Sequence, residues 1–384
     1  MAARRALASR SISSSTPSAL PTSSGLLLTL AMCVSMAVRI SSVISVTGAA
    51  RLRSRVLCHR VAAVTLVTGV LLPAFPPSVE AQSLPAPGDW TVPRTGWGVP
   101  DLQGIWTNAT LTPIERPDSL SGKTVLTAEE AVELETRSTE RRAASDRFIP
   151  GEVGAYNQFW MDGGKNVTGD RRTSLIVDPP DGKIPWAPDG RRRLEIDLTK
   201  YGVGPFDSWE DADTGERCLT DGLPLVPLQG YNMNYHILQS PGWVAILNEM
   251  FHEYRLIPVD GRAHVPSEIG QLLGDARGWW DGDTLVVETT NFADKGHFLW
   301  RATWRAARLS LHLVERFTRI DDETIDYAFT MTDPTMFTRP WTARVPMTTN
   351  QTSRGVTSGP MFEYACHEGN YRLLNIMRGA RAGP

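Results

Sequence analysis

Six histidines follow residue 81 of this chain: His236, His252, His264, His297, His312 and His367. None stands in His-x-His or His-Glu-x-x-His spacing, and there is no Cys-x-x-Cys, so no metal motif is present and no cofactor is expected. Phe251-His252-Glu253 and Cys366-His367-Glu368 each put a His beside a carboxylate. Adjacent residues of a regular strand point to opposite faces, so neither pair could grip one ion. His312 interrupts an apolar strand and lies four residues before Arg316, on the same face. A His and an Arg on one wall can bind a carboxylate or polarise a carbonyl; the alternative is a His on the wet face of an edge strand. Among Glu249, Asp275, Glu288 and Glu315, two carboxyls in different environments would suffice for acid–base chemistry of the glycosidase kind, unless they are solvated surface. The catalytic candidates are therefore His312, Glu249 and Asp275. No Gly-x-Ser-x-Gly elbow and no phosphate-binding Gly-rich loop ending in Lys-Ser/Thr occurs, which disfavours serine and nucleotide hydrolases.

The ligand-binding candidates are Trp279, Trp280, Arg316 and Arg255. Trp279-Trp280 beside Asp281-Gly282 can form a stacking platform for a sugar or aromatic ring; alternatively one Trp packs in a core while its neighbour covers the outside. Arg255, Asp260 and Arg262 read as an ion-pair network closing a turn.

These residues sit in a chain that reads mainly as strands. From Tyr235 onward short runs alternate with turn residues: 235–239, 243–248, 254–259, 284–290, 309–320, 324–332, 341–349 and 361–366. Many short strands at about ten-residue spacing predict an antiparallel β-barrel or sandwich. Ile325, Tyr327, Phe329 and Met331 share one face, as do Leu309, Leu311, Leu313 and Phe317; His312, Val314, Arg316 and Thr318 share the opposite one. Polar faces turned inward would make a polar pocket; turned outward they would be solvated. One surface helix is expected from the Thr127-Ala-Glu-Glu130 capping box to about Ser145, and residues 148–225 read as a loop-rich insertion.

Two resemblances bear on the fold. Gly104-Ile-Trp106 at the first strand resembles the entry motif of lipocalin-like calycin barrels, where the Trp plugs one end. The segments Tyr254–His264, Gly274–Glu288, Leu311–Phe317, Thr332-Asp-Pro334 and Thr338–Trp341 resemble a large, uncharacterised family of secreted bacterial proteins over roughly residues 95–375. Within its Gly-Asp-x-x-Gly-x-Trp-x-Gly-Asp-Thr-Leu-Val-Val block, Asp281-Gly-Asp-Thr-Leu-Val-Val287 is the most specific part; family blocks often have Glu or His where this chain has Trp279 and Asp281. That resemblance implies export and a shared β-rich fold and carries no catalytic assignment. Its polar blocks match Arg255, Asp260, Arg262, His264, Asp275, Asp283, His312, Glu315 and Arg316.

Composition separates the chain into an address and a domain. Residues 1–81 hold eight Arg, no Lys and one acid, Glu80. Arg51–Arg60, an apolar run over 61–72, prolines and Val79-Glu-Ala81 give the basic, apolar and small-residue order of a secretory signal peptide cleaved after Ala81. The run is about 12 residues against the roughly 20 that span a bilayer, so no stable membrane anchor is expected. A second apolar stretch at Gly25–Val38 suggests a translation start at Met36; an organellar transit peptide is the alternative. The whole chain of 384 residues has 39 basic and 42 acidic residues, a net of −3; without the leader 31 and 41 remain, a net of −10. That argues against a nucleic-acid partner. After a Pro/Gly-rich lead-in over 82–100, residues 101–384 are read as a single β-rich domain. Its two cysteines, Cys218 and Cys366, invite a disulfide in an oxidising periplasm, two free thiols being the alternative.

Two functions fit. One is an exported protein binding a small, partly apolar or aromatic molecule in a β-barrel pocket. The other is an exported hydrolase, lyase or isomerase acting on a sugar or aromatic metabolite through His and carboxylate acid–base chemistry.

Overall fold

The computed structural model describes residues 90–145, 163–203, 206–226, 230–293, 304, 309–350 and 361–382. The leader lies outside them. Eleven strands among these residues join one antiparallel sheet: β1 (Gly104–Thr107), β2 (Ile176–Asp178), β3 (Asn234–Ser240), β4 (Trp243–Asn248), β5 (Glu253–Pro258), β6 (Asp275–Asp281), β7 (Thr284–Thr290), β8 (His312–Arg319), β9 (Thr324–Thr332), β10 (Trp341–Arg344) and β11 (Met347–Thr348). The order is β5-β4-β3-β1-β11-β9-β8-β7-β6, with β10 pairing β9 and β2 beside that path. The mainly antiparallel β expectation holds, in a barrel-like form whose ladder does not close.

The two ends of the path meet through side chains. A Cβ at Gly278 of β6 would stand 2.8 Å from Val259 and 3.0 Å from Ile257, so only glycine lets β6 come this close to β5 and the residue after it. The sheet is thereby curled with its apolar faces inward. Leu313, Phe317, Ile325, Tyr327, Phe329 and Met331 are all at most 1% exposed, which places His312, Val314, Arg316 and Thr318 on the outside. The inward polar pocket that those four residues would have lined does not exist. Ring contacts such as Phe317–Tyr327 (centroids 4.7 Å apart) and Phe329–Trp341 (5.6 Å) line the interior. Trp106 of β1 is fully buried and donates to the Leu102 carbonyl at 2.9 Å. The Arg319 guanidinium lies 5.6 Å from its ring centroid and donates to the Asp101 carbonyl at 2.9 Å.

Glu315 takes its place in the inward series between Leu313 and Phe317, and Arg255 of β5 meets it there. Nη1 and Nη2 of Arg255 donate to the two Glu315 oxygens at 3.2 and 2.7 Å, and Nη2 also to Thr289 at 3.3 Å. Tyr327 donates to Glu315 at 2.8 Å and accepts from the Leu225 amide at 3.1 Å. Burial first, then the Glu315 charge, raise the Tyr327 pKa well above its usual 10.

Among the described residues three α-helices lie outside the sheet. The first, α1 (Ala128–Ser145), starts at the expected capping box: Thr127 accepts from the Glu130 amide at 3.2 Å and its own amide donates to the Glu130 carboxylate at 2.8 Å. Two more are α2 (Pro188–Val203), inside the stretch that reads as a loop-rich insertion, and α3 (Arg372–Ala382), for which the sequence carries no expectation. Pro188 opens α2 in the position that suits proline, and Gly190 is needed because any Cβ there would strike the Met336 backbone at 2.3 Å. The run at 361–366 forms no strand, and 341–349 divides at Val345-Pro346, since proline has no amide to give a ladder. The disulfide is present: Cys218 and Cys366, with Cα atoms 5.6 Å apart, clasp the C-terminal segment to the 206–226 region. Arg372 reinforces it by pairing with Glu216 at 2.6 Å.

Arg255→Met alone leaves the Glu315 carboxylate buried without its counter-charge and is expected to cost about 3–5 kcal/mol. The double change Arg255→Met with Glu315→Leu should recover most of that in urea unfolding, whereas a double change as costly as the sum of the singles would show the pair to be uncoupled.

Candidate functional site

The strand registers place two groups of polar side chains, one on each side of the same wall. On the outside, Asp275 of β6 stands opposite Thr290 of β7, Arg277 opposite Glu288, and Trp279 opposite Val286. On the other flank of β7, Glu288 stands opposite Val314 of β8 and Val286 opposite Arg316. His264 comes from the β5–β6 connection and completes a row. Its Nδ1 is 2.9 Å from an Asp275 oxygen, and its Nε2 is 3.3 Å from one Glu288 oxygen. The other Glu288 oxygen is 2.6 Å from Nε2 of His312.

The row is anchored at its inner end. The Val265 amide and Arg277 Nη1 donate to Asp275 at 3.0 and 2.7 Å, and Asn291, in a left-handed conformation at φ 56°, donates to the Pro266 carbonyl at 2.8 Å. Both ring nitrogens of His264 face carboxylates, so it donates at both only as an imidazolium. Burial pushes the Glu288 pKa up, but hydrogen bonds and charge from His312 and His264 outweigh that and leave it lowered. Exposure rises along the row, from 8% for the Asp275 side chain through 24% for His264 to 40% for His312. Among the described residues no group of three or more His, Cys, Asp or Glu is arranged to hold a metal ion.

On the inside, the Arg255–Glu315 pair and two indoles share Phe329 as a neighbour. Trp341 of β10 is opposite Met331, and Phe329 is opposite Glu315. The Trp304 ring stacks on Phe329 with centroids 6.2 Å apart and meets Trp341 edge-on at 5.2 Å. Arg255 Nε, Trp304 Nε1 and Trp341 Nε1 are buried and have no acceptor among the described residues. All three groups lie toward the end of the barrel away from Trp106: the Trp341–Met331–Leu313 level and the neighbouring Glu315–Phe329 level are separated from Arg319 and Ile325 by Phe317 and Tyr327.

The sequence candidates divide between these places. His312 and Asp275 belong to the outer row, joined through His264 and Glu288. Glu249 does not. It is fully buried elsewhere, accepting from the Asn234 side chain at 2.5 Å and the Phe362 amide at 3.0 Å. An enzyme site built on His312, Glu249 and Asp275 together is therefore set aside. Trp279 is 45% exposed on the outer face, next along from Glu288, while Trp280 packs against the core. Only one of the two is free to stack on a ligand. Arg316 is outside and pairs with Asp281 at 2.8 Å. Arg262 and Asp260 close their turn as expected, but Arg255 leaves that network for the interior. His312 faces outward as one expectation had it, yet β8 lies between β7 and β9 and is not an edge strand. His297 lies outside the described residues.

Glu315 and Arg255 carry a signal that alternation supplies and the sequence reading passed over. Glu315 occupies the apolar phase of its strand, and Arg255 shares its phase with Ile257. His264, by contrast, sits in a connection where no periodicity applies.

The site belongs to a mainly antiparallel, barrel-like β protein. No protein-family model matches the chain, and no curated protein or solved structure matches it.

A partly buried acid gives the molecule a pH response. Glu253, at the start of β5, accepts from Thr220 Oγ1 at 2.9 Å and the Asp221 amide at 3.3 Å. Burial pushes its pKa up from 4.5 to about 7, the Asp221 charge adding to burial and the Thr220, Asp221-amide and Asn248 hydrogen bonds opposing it. A carboxyl whose folded pKa lies above its unfolded one binds its proton more tightly when folded. Its contribution is then greatest below pH 4.5 and is lost as the pH rises through 7, a change of about 3 kcal/mol. Glu253→Gln should remove about 2 kcal/mol of the stability difference between pH 5 and pH 8 in urea unfolding. An unchanged pH dependence in the variant would contradict this assignment.

Proposed function

We propose that the chain is an exported, lipocalin-like protein that binds a small, partly aromatic molecule inside its barrel. The observation that carries this reading is the set of three buried N–H groups, on Arg255, Trp304 and Trp341, that have no acceptor among the described residues. A buried donor left unmet costs about 1–3 kcal/mol, so three of them in one interior call for a guest that supplies oxygen or nitrogen acceptors. The ion pair of Arg255 with Glu315 is already balanced. A charged guest would have to lose its hydration without a counter-charge, so a neutral carbonyl compound fits better than a carboxylate. The rings of Trp304, Phe329 and Trp341 suit an aromatic body. The burial of Trp106 under Arg319, away from these donors, supports the lipocalin-like part of this reading.

Export accords with the Arg-rich, apolar and Val-Glu-Ala order of residues 51–81 and with the disulfide. N-terminal sequencing of the secreted protein should begin at Gln82; a retained leader would contradict export by this route.

Calorimetric titration with acetophenone should show one site per chain. Ethylbenzene, similar in shape but without the acceptor, should bind about tenfold more weakly or less, the weight of one hydrogen bond. Trp341→Phe keeps an aromatic ring, smaller than the indole, removes the N–H and should weaken acetophenone binding about tenfold. Equal affinity for the two probes, no binding of either, or ordered waters on all three N–H groups in a crystal structure would each overturn the proposal.

A further inference from the structure

The outer wall of the barrel is divided by charge. Asp275, Arg277, Asp281, Glu288 and Arg316 stand on β6, β7 and β8, whereas the outward positions of β3, β4 and β5 hold no Asp, Glu, Lys or Arg. We propose that this second, apolar face is where two copies of the chain associate. The association involves neither the barrel interior nor the row of Asp275, His264, Glu288 and His312.

The registers lay the face out around its centre. Leu238 of β3, Ala245 of β4 and Leu256 of β5 stand side by side, with Trp243 and Leu247 on either side of Ala245 along β4, and Tyr254 opposite Leu247. Ile105 of β1, opposite His236, carries the face one strand further. Alternation sends the residues between them inward, so Ile237, Val244, Ile246 and Ile257 are at most 1% exposed. The outward side chains have no place in that core. Tyr254 is 65% exposed, Leu256 57%, Leu238 45% and Trp243 36%. Four large apolar side chains left to water on adjacent strands make a continuous patch, unlike the single ones that any surface carries. Aromatic rings without charge are the composition of the centre of a protein interface, and its rim is polar. Here Arg262, stacked over Trp243 and paired with Asp260, supplies a polar edge.

Charge and area name the occupant. The chain after residue 81 has a net charge of −10, and the Arg262 cation at this edge is already matched by Asp260. An anionic lipid surface would therefore be repelled by the body and find no cation on the face to offset it. A second copy brings the same uncharged strands, so nothing on the face repels it. With a twofold axis running close to β4 between the two faces, Leu238 of one copy lies on Leu256 of the other on both sides of the axis. The two Ala245 side chains then meet at the centre, where their small size lets the sheets approach to about 10 Å. Strands about 4.8 Å apart and about 20 Å long give β1, β3, β4 and β5 a face of roughly 400 Å², so two copies hide roughly 800 Å² or a little more. That is the range of a weak, reversible dimer rather than an obligate one.

The test is sedimentation equilibrium of the secreted protein up to about 200 µM, where a micromolar dimer is populated. Leu256→Asp and Leu238→Lys each set a charge against the partner's leucine and should weaken dimerisation about 100-fold. Both side chains are half-exposed, so both variants are expected to fold, which thermal unfolding checks. Mixed in equal amounts, the two variants should dimerise again, because the Lys of one faces the Asp of the other while the second contact remains leucine on leucine. A protein monomeric throughout, whether or not it binds phosphatidylcholine vesicles, would overturn the proposal. A dimer indifferent to both substitutions, or variants that stay monomeric when mixed, would overturn it equally.

Discussion

Closure of this sheet depends on a salt bridge rather than on a ladder. β5 and β6 end the path of hydrogen-bonded strands and do not pair with each other, so the seam between them is held by side chains. Arg255 reaches from β5 past β6 to Glu315 on β8 and Thr289 on β7, and Gly278 removes the side chain that would keep the two edges apart. A buried ion pair is costly to desolvate and returns that cost only when its remaining hydrogen-bonding capacity is well used. The two-point contact between guanidinium and carboxylate, with Tyr327 and Thr289 as additional partners, provides that use. Tyr327 then carries the constraint outward, because its oxygen accepts from the Leu225 amide and ties the loop before β3 to the same centre.

The same wall separates two kinds of chemistry. Side chains alternate with a period of two, so Glu315 faces the interior while Val314 and Arg316 beside it face outward, and a register slip of one residue would exchange them. The inner layer can hold a charged pair because aromatic rings exclude water from it. The outer layer keeps His312 in contact with water, and the lowered pKa of Glu288 there depends on the two histidines that share it. A hydrated imidazole and a water-free ion pair can therefore share one strand.

How far the sequence could be read follows from which features are local. The strands 243–248, 284–290 and 324–332 are found at the very bounds that alternation and turn residues suggest, and the α1 capping box is a pattern four residues long. The helix α2 was not legible, because its register on the body of the protein depends on Gly190 meeting Met336, almost 150 residues away in sequence. The outer row was half legible. His312 and Asp275 stood out by residue type, but the residue that joins them to each other, His264, lies in a connection, and proximity there is decided by a turn. The place of Glu249 was not legible for a different reason. A carboxylate looks the same in sequence whether it faces a substrate or holds a backbone amide, and this one holds Phe362.

That last case extends to the acidity of the domain. Of the carboxylates behind its net charge, several buried ones act as ties between separate segments. Glu249 joins β3 to the C-terminal segment, Asp275 joins β6 to the 264–265 connection, Asp326 joins β9 to Arg344, and Asp333 receives Ser310 at 2.8 Å and the Thr335 amide at 2.9 Å. Each is a carboxylate with more acceptor sites than a neutral side chain of its size, and so can satisfy several donors at once where loops converge. A barrel with long connections has many converging backbone amides and few regular ladders to absorb them. An excess of acid over base is thus in part a requirement of the architecture, and the carboxylates free for chemistry are those, like Glu288, whose partners are imidazoles rather than backbone.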